Sequence, residues 1–226
     1  MTRLTLPFLA AITMALLSGC GGSGGAQTAG IDGSGAPVAS TNSNGAINGF
    51  GSVIVNGVKY ESDKAQVLIN GQLATEDDLR VGYQVSVSGT ITDGKTTAEK
   101  IEFVPTLVGE ITAIEPSNKL LVVLGKTVHI TNDTLFDAAI KPASLAGLTV
   151  GQRILVSGAV AADGSISATR IELSSSETLQ LTGLVANLTG NSFNLGDTNV
   201  VYSGAQLINL DGNRFTNGAR VTAIGV

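Results

Sequence analysis

The side chains that could do chemistry in this sequence are few and scattered. There is one histidine, His129. It stands in Thr127-Val128-His129-Ile130, where period-2 alternation turns it away from Val128 and Ile130, toward solvent on a strand. A nucleophilic mechanism needs a base within reach of a nucleophile, and no G-x-S-x-G turn offers one. The densest acids are Glu76-Asp77-Asp78. They follow Thr75 and precede Leu79, where capping of a helical turn accounts for them. Glu102 and Glu172 fall at equivalent places in a repeat, which marks them as structural. A hydrolase would need two carboxylates converging at about 5–9 Å. Asn132-Asp133-Thr134 and Asn209-Leu210-Asp211-Gly212-Asn213 lack the spacing of a calcium loop, and side-chain turns explain them. Gly49-Phe50-Gly51-Ser52 is not a phosphate loop, since no helix follows it; a bulge or tight corner is expected. No catalytic residue, metal site or cofactor is therefore expected. Candidate ligand contacts are Phe50, Tyr60 and Tyr83, with core packing the expected role of Phe50.

The most specific chemistry lies at the N-terminus. Met1 to Arg3 are followed by an apolar run from Leu4 to Leu17. As a helix, fourteen residues rise about 21 Å, short of a bilayer core of about 30 Å, but they suit the apolar region of a signal peptide. Leu17-Ser18-Gly19-Cys20 then resembles the bacterial lipobox. That resemblance implies a thioether-linked diacylglyceryl group on Cys20, cleavage before it, and acylation of the freed amine. Two or three acyl chains anchor stably where one is marginal. Gly21, where an aspartate would signal inner-membrane retention, implies the outer membrane in a Gram-negative host.

Composition bounds the rest. The 226 residues carry a net charge of −5, and loss of the leader removes Arg3 and no acid, leaving −6. Lysines and arginines form no stripe and aromatics are 4%, which argues against nucleic acid. An acidic body is not drawn to anionic headgroups, so membrane contact is expected through the lipid alone. The single cysteine excludes an internal disulfide framework. The glycine- and serine-rich stretch from Gly21 to about Asn44 reads as a flexible tether with a root-mean-square span of about 27 Å.

The remaining chain repeats itself at a period near seventy. Val81-Gly82 corresponds to Val150-Gly151, Gly89 to Gly158, Asp93-Gly94 to Asp163-Gly164, Ala98 to Ala168, and Ile101-Glu102 to Ile171-Glu172. A third copy shows at residues 217–225. Gln84 to Gly89 and Arg153 to Gly158 alternate as half-buried strands. Asn56-Gly57, Asp93-Gly94, Leu124-Gly125 and Asp163-Gly164 are expected to turn hairpins. Helical turns are expected at residues 76–80 and 142–148. The reading is all-β: tandem small OB-like β-barrels, since closure removes sticky edges. Boundaries fall at 1–19 (leader), 20–44 (tether), 45–104, 105–174 and 175–226. Units this small are marginal alone, so neighbours should pack, with short junctions at Pro105-Thr106 and residues 174–177. The third copy lacks the returning Ala-x-x-Ile strand. A fragment of a longer array is the preferred reading, an open final barrel the alternative.

Residues 47–60, INGFGSVIVNGVKY, with Leu79-Arg80-Val81-Gly82 and residues 85–89, resemble the domain of unknown function 5666. The second copy matches mainly over residues 148–173. The resemblance implies a repeat lipoprotein of the bacterial envelope and carries no functional residue. The expected function is non-catalytic: a lipid-anchored adhesive or scaffolding module with an envelope protein or glycan as partner. The alternative is a small-ligand or glycan-binding barrel.

Overall fold

The structure, a computed structural model, describes residues 11–13, 39–208 and 215–225. Cys20, the tether up to residue 38 and the candidate calcium segment Asn209 to Asn213 lie outside these, as does the leader except Ala11–Thr13. That tripeptide is strand β1. The tether was expected to run to residue 44, but β2 (Ala39–Gly49) begins at Ala39, and residues 39–44 pair with β7 (Gln84–Thr92) because their polar side chains leave the backbone free to extend that sheet.

The first unit holds β2 (Ala39–Gly49), β3 (Val53–Val55), β4 (Val58–Tyr60), β5 (Gln66–Ile69), β6 (Gln72–Ala74), β7 (Gln84–Thr92) and β8 (Lys95–Phe103). They form one curled sheet in the order β4-β3-β2-β7-β8-β5-β6. Its β4 edge curls round to β8 through Glu61, whose N–H donates to Thr96 O at 2.9 Å while its carbonyl accepts from Ala98 N at 2.8 Å. The second unit holds β9 (Leu107–Glu115), β10 (Leu120–Val123), β11 (Lys126–His129), β12 (Leu135–Phe136), β13 (Arg153–Val160) and β14 (Ile166–Leu173). Here β9-β10-β11-β14-β13 closes back on β9. With β12, which lies off the ring, left out of the numbering, the ring runs 1-2-3-5-4-1 with a parallel pair between its third and fifth strands, an OB-like barrel. The third unit holds β15 (Leu179–Ala186), β16 (Ser192–Leu195), β17 (Thr198–Val201), β18 (Gln206–Ile208) and β19 (Arg220–Gly225).

Local sequence explains the hairpins. Asn56 and Gly57 (φ 52° and 78°), Asp93 and Gly94 (51° and 75°) and Leu124 and Gly125 (50° and 73°) all adopt the doubly positive φ of a tight two-residue turn. A fourth such pair, Asn70-Gly71 (51° and 77°), joins β5 to β6. Asp163-Gly164 departs from the expected tight hairpin. Of the two only Gly164 has positive φ, and β13 and β14 are joined by a longer loop. Its Ala161 N–H donates to Ser165 O, and the Asp163 carboxylate accepts from the Ser165 N–H and hydroxyl at 2.9 and 2.7 Å. The helical turns are short 3₁₀ turns, Glu76–Asp78 and Leu145–Gly147. At the first, Asp78 accepts from the backbone and hydroxyl of Thr75 at 2.9 and 2.8 Å.

Gly89 and Gly158 sit at matching register shifts in the β7–β8 and β13–β14 pairs. A Cβ at either would run into the carbonyl of Thr97 or Ser167. The bulge tightens strand twist and curls each sheet, so the repeated glycine serves barrel curvature.

Burial alternates as the sequence requires: Val85 and Val87 in β7, Ile154 and Val156 in β13 are buried. The units are less alike in their cores. The first has its own, around Ile47, Tyr60, Ile101 and Phe103. The second and third share one continuous cluster, from Leu107 and Ile154 through to Phe193 and Val221. Three separately cored units were expected from the repeat. Pairing of β9 with β15, Leu107 opposite Leu181, instead merges two of them, and pooling apolar surface relieves the marginal burial of a small unit.

Candidate functional site

The sequence's candidates do not converge. His129 is exposed on β11 beside buried Val128, as alternation required. Tyr60 is 1% exposed and part of the first core, so it has no face for a ligand. Tyr83 is 6% exposed and stacks on Phe103, with centroids 3.7 Å apart and planes 3° from parallel. Phe50, expected in the core, is instead 42% exposed, at the turn after the bulge that separates Ile47 from Gly49; that kink swings the ring outward. Asn132-Asp133-Thr134 forms a turn held by hydroxyls rather than by its Asn and Asp: Asp133 N–H donates to Thr131 Oγ1 at 3.2 Å, and Thr134 Oγ1 to Ala168 O at 2.7 Å. Among the described residues no group of three His, Cys, Asp or Glu could hold a metal ion.

Tyr83 belongs to a charged cluster that locks the first unit to the second. Its hydroxyl donates to Glu172 Oε2 at 2.8 Å. Arg170 donates through Nε to Glu172 Oε1 at 2.5 Å and through Nη2 to Asp137 Oδ2 at 3.3 Å, and its guanidinium carbon lies 5.9 Å from the Tyr83 ring centre. Burial, then the hydrogen bond to Glu172, push the Tyr83 phenol far above its ordinary value. Around this cluster the backbones interlock: Thr169 Oγ1 donates to Gly82 O at 2.6 Å, and Gln84 N–H to Ser157 Oγ at 2.7 Å. Gly82 has φ of 91°, and a Cβ there would stand 2.9 Å from Thr169 O, so close docking of the loop needs glycine.

A second polar zone joins all three units at the Pro105-Thr106 junction. The Pro105 carbonyl accepts from Gln180 Nε2 at 2.8 Å and Thr182 Oγ1 at 3.1 Å. Thr106 Oγ1 donates to Gly158 O at 2.8 Å, and Thr182 and Thr222 share a hydroxyl contact of 2.9 Å. Also between the second and third units, Lys126 is buried with Nζ donating to Leu195 O at 2.6 Å, close to Gly164 and Gly196. Burial lowers this ammonium from its ordinary value.

Next to the junction opens a cleft of about 360 Å³. Asn44, Gln84, Ser86 and Glu102 of the first unit line it with Thr182 and Arg220 of the third. Glu102 is bound to Lys100 at 2.8 Å. Arg220 pairs with no carboxylate among the described residues. The cleft thus offers a guanidinium, two amides and hydroxyls, which together suit an oxygen-rich or anionic ligand. Sequence reasoning missed it because its walls come from residues more than a hundred positions apart.

The model of a family described as "Domain of unknown function (DUF5666)" matches residues 43–102 and 108–172. The chain belongs to this family. The two matches are the first two units, so the DUF5666 repeat is the small barrel itself. No curated protein and no solved structure matches the chain.

Proposed function

We propose that this DUF5666 chain is a non-catalytic, lipid-anchored scaffold of the bacterial cell envelope, held by Cys20 and presenting a rigid repeat body to an envelope partner. The observation that carries this reading is the way the units are joined. Hydrogen bonds at Tyr83–Glu172, part-buried, and Pro105–Thr182, buried, tie the units together, as a scaffold requires. The lipobox resemblance at residues 17–20 and the glycine-rich tether support the anchor. The test is to compare native chain with Cys20→Ala by membrane fractionation, then to pull down partners from envelope extracts with the lipidated form. Release of Cys20→Ala into the soluble fraction is expected. Retention in membranes, or a pull-down no richer than the control, sinks the reading.

A second reading is a binder of acidic glycans or small carboxylates at the three-unit cleft, favoured by Arg220 standing there without an acidic partner among the described residues. Tyr60 and Tyr83 play no part in it, since both are buried. Binding of uronate-containing oligosaccharides that Arg220→Ala abolishes would support it, and a glycan array without hits would end it.

A further inference from the structure

The repeat places one carboxylate in two settings. In the second unit Glu172 divides its oxygens: Oε1 accepts from Arg170 Nε at 2.5 Å, and Oε2 accepts from the Tyr83 hydroxyl at 2.8 Å. In the first unit Glu102 holds the equivalent position, and Lys100 stands for Arg170. Lys100 Nζ binds Glu102 Oε2 at 2.8 Å. Among the described residues no hydroxyl donates to Glu102 as Tyr83 does to Glu172, and Glu102 stands instead in the wall of the three-unit cleft.

The residues across the strand pair differ in kind. Leu155, opposite Glu172, packs against the core of the first unit. Ser86, opposite Glu102, lines the cleft beside Gln84 and Asn44. An apolar side chain suits the docking of a whole unit, whereas a hydroxyl with two amides suits a polar ligand. Exposure follows: the Arg170 side chain is 12% exposed under the docked unit, and that of Lys100 is 43% exposed. From the third unit Arg220 lines the same cleft. Since Lys100 matches Glu102, the guanidinium leaves one positive charge to be met by a ligand. Half-buried Val104 and Val160 add apolar surface for the C–H face of a ring. The volume of about 360 Å³ lies at the small end of the roughly 300–1,000 Å³ of small-molecule sites.

We propose that Glu102 is the hydroxyl-reading residue of this cleft and that the ligand is a hydroxylated carboxylate of the uronate class. Its hydroxyl donates to Glu102 as the Tyr83 hydroxyl donates to Glu172, and its carboxylate pairs with Arg220. The proposal rests on the cleft reading and narrows it. A plain carboxylate satisfies Arg220 but covers Glu102 without giving it a donor, and a neutral sugar does the reverse; either leaves a charged group short of a partner.

The test uses the full chain carrying Cys20→Ala and isothermal titration calorimetry with three probes of similar size. Galacturonate has hydroxyls and a carboxylate, cyclohexanecarboxylate has the carboxylate alone, and galactose has the hydroxyls alone. Galacturonate is expected to bind at least about tenfold tighter than either of the others, since each lacks one charge-assisted bond. Glu102→Ala should lower galacturonate affinity to the level of cyclohexanecarboxylate and leave cyclohexanecarboxylate binding no weaker. Arg220→Ala should abolish binding of both acids. The comparison of probes on the parent chain holds whether or not the alanine variants fold. Equal binding of the two acids by the parent, or a Glu102→Ala chain that keeps the preference, overturns the role of Glu102 and leaves the cleft reading standing. No binding of either acid, or binding that Arg220→Ala leaves intact, sinks the cleft reading and this inference with it.

Discussion

The junction between the first and second units and the junction between the second and third solve one problem in opposite ways. The first is held by directional bonds to a charged cluster: Glu172, ion-paired with Arg170 inside the second unit, accepts from the Tyr83 hydroxyl of the first, and the two cores stay separate. The second merges its cores outright and confines polarity mostly to neutral hydroxyls and amides around Pro105. A small unit can gain burial by fusing its core with a neighbour's. If it keeps its own core, its neighbour must be held by directional bonds, and every charge so used must be matched.

The comparison breaks most sharply at Arg170. Arg170→Met leaves Glu172 and Asp137 without their cation, and unfolding in urea should show a loss of about 3–5 kcal/mol. Gly82→Ala attacks the same junction through its backbone, and a loss of about 1–3 kcal/mol is expected from the strained φ and the contact with Thr169 O, read from the same midpoint. On the neutral side, Thr182→Val removes the bond to Pro105 and the Thr222 contact, and about 1–2 kcal/mol should go. Alkaline pH separates the junctions further. The folded state holds the Tyr83 proton where the unfolded chain loses it, so this contribution is complete below pH 10 and falls as pH rises above that value. Tyr83→Phe should flatten the decline above about pH 10. Buried Lys126 works in the opposite sense, so the readout is the difference between variant and parent. The smallest effect is expected at Lys100→Met, the repeat equivalent of Arg170. Its pair with Glu102 has a lysine 43% exposed and should be worth less than about 1 kcal/mol.

The sequence carried the local rules and missed the distant ones. Asn56-Gly57 and Asp93-Gly94 announce their hairpins because the turn demands a conformation those residues adopt cheaply. Asn70-Gly71 carries the same signal, although no hairpin was expected there. Asp163-Gly164 fails because the Asp163 carboxylate finds Ser165 two residues on and holds a wider loop. The alternation of β7 and β13, the position of His129 and the 3₁₀ turn at Thr75 were all legible. Tyr83 was misjudged as a ligand contact because its partner lies 89 residues away, beyond any periodic signal. Phe50 was misjudged because the bulge reverses the face it would otherwise occupy. The Arg220 cleft depends on how three units pack, which no single repeat specifies.

Pro105 and Thr106 were expected to be a plain connector, yet the Pro105 carbonyl is bonded to the third unit and Thr106 to both the second and the third. The connector's length is therefore a fixed part of the design. Units of this family cannot be shuffled like beads on a cord: a graft that replaces the dipeptide with a flexible spacer would keep each barrel's fold but lose its orientation. Duplication that carries the dipeptide along would extend the body by a whole step in a set direction.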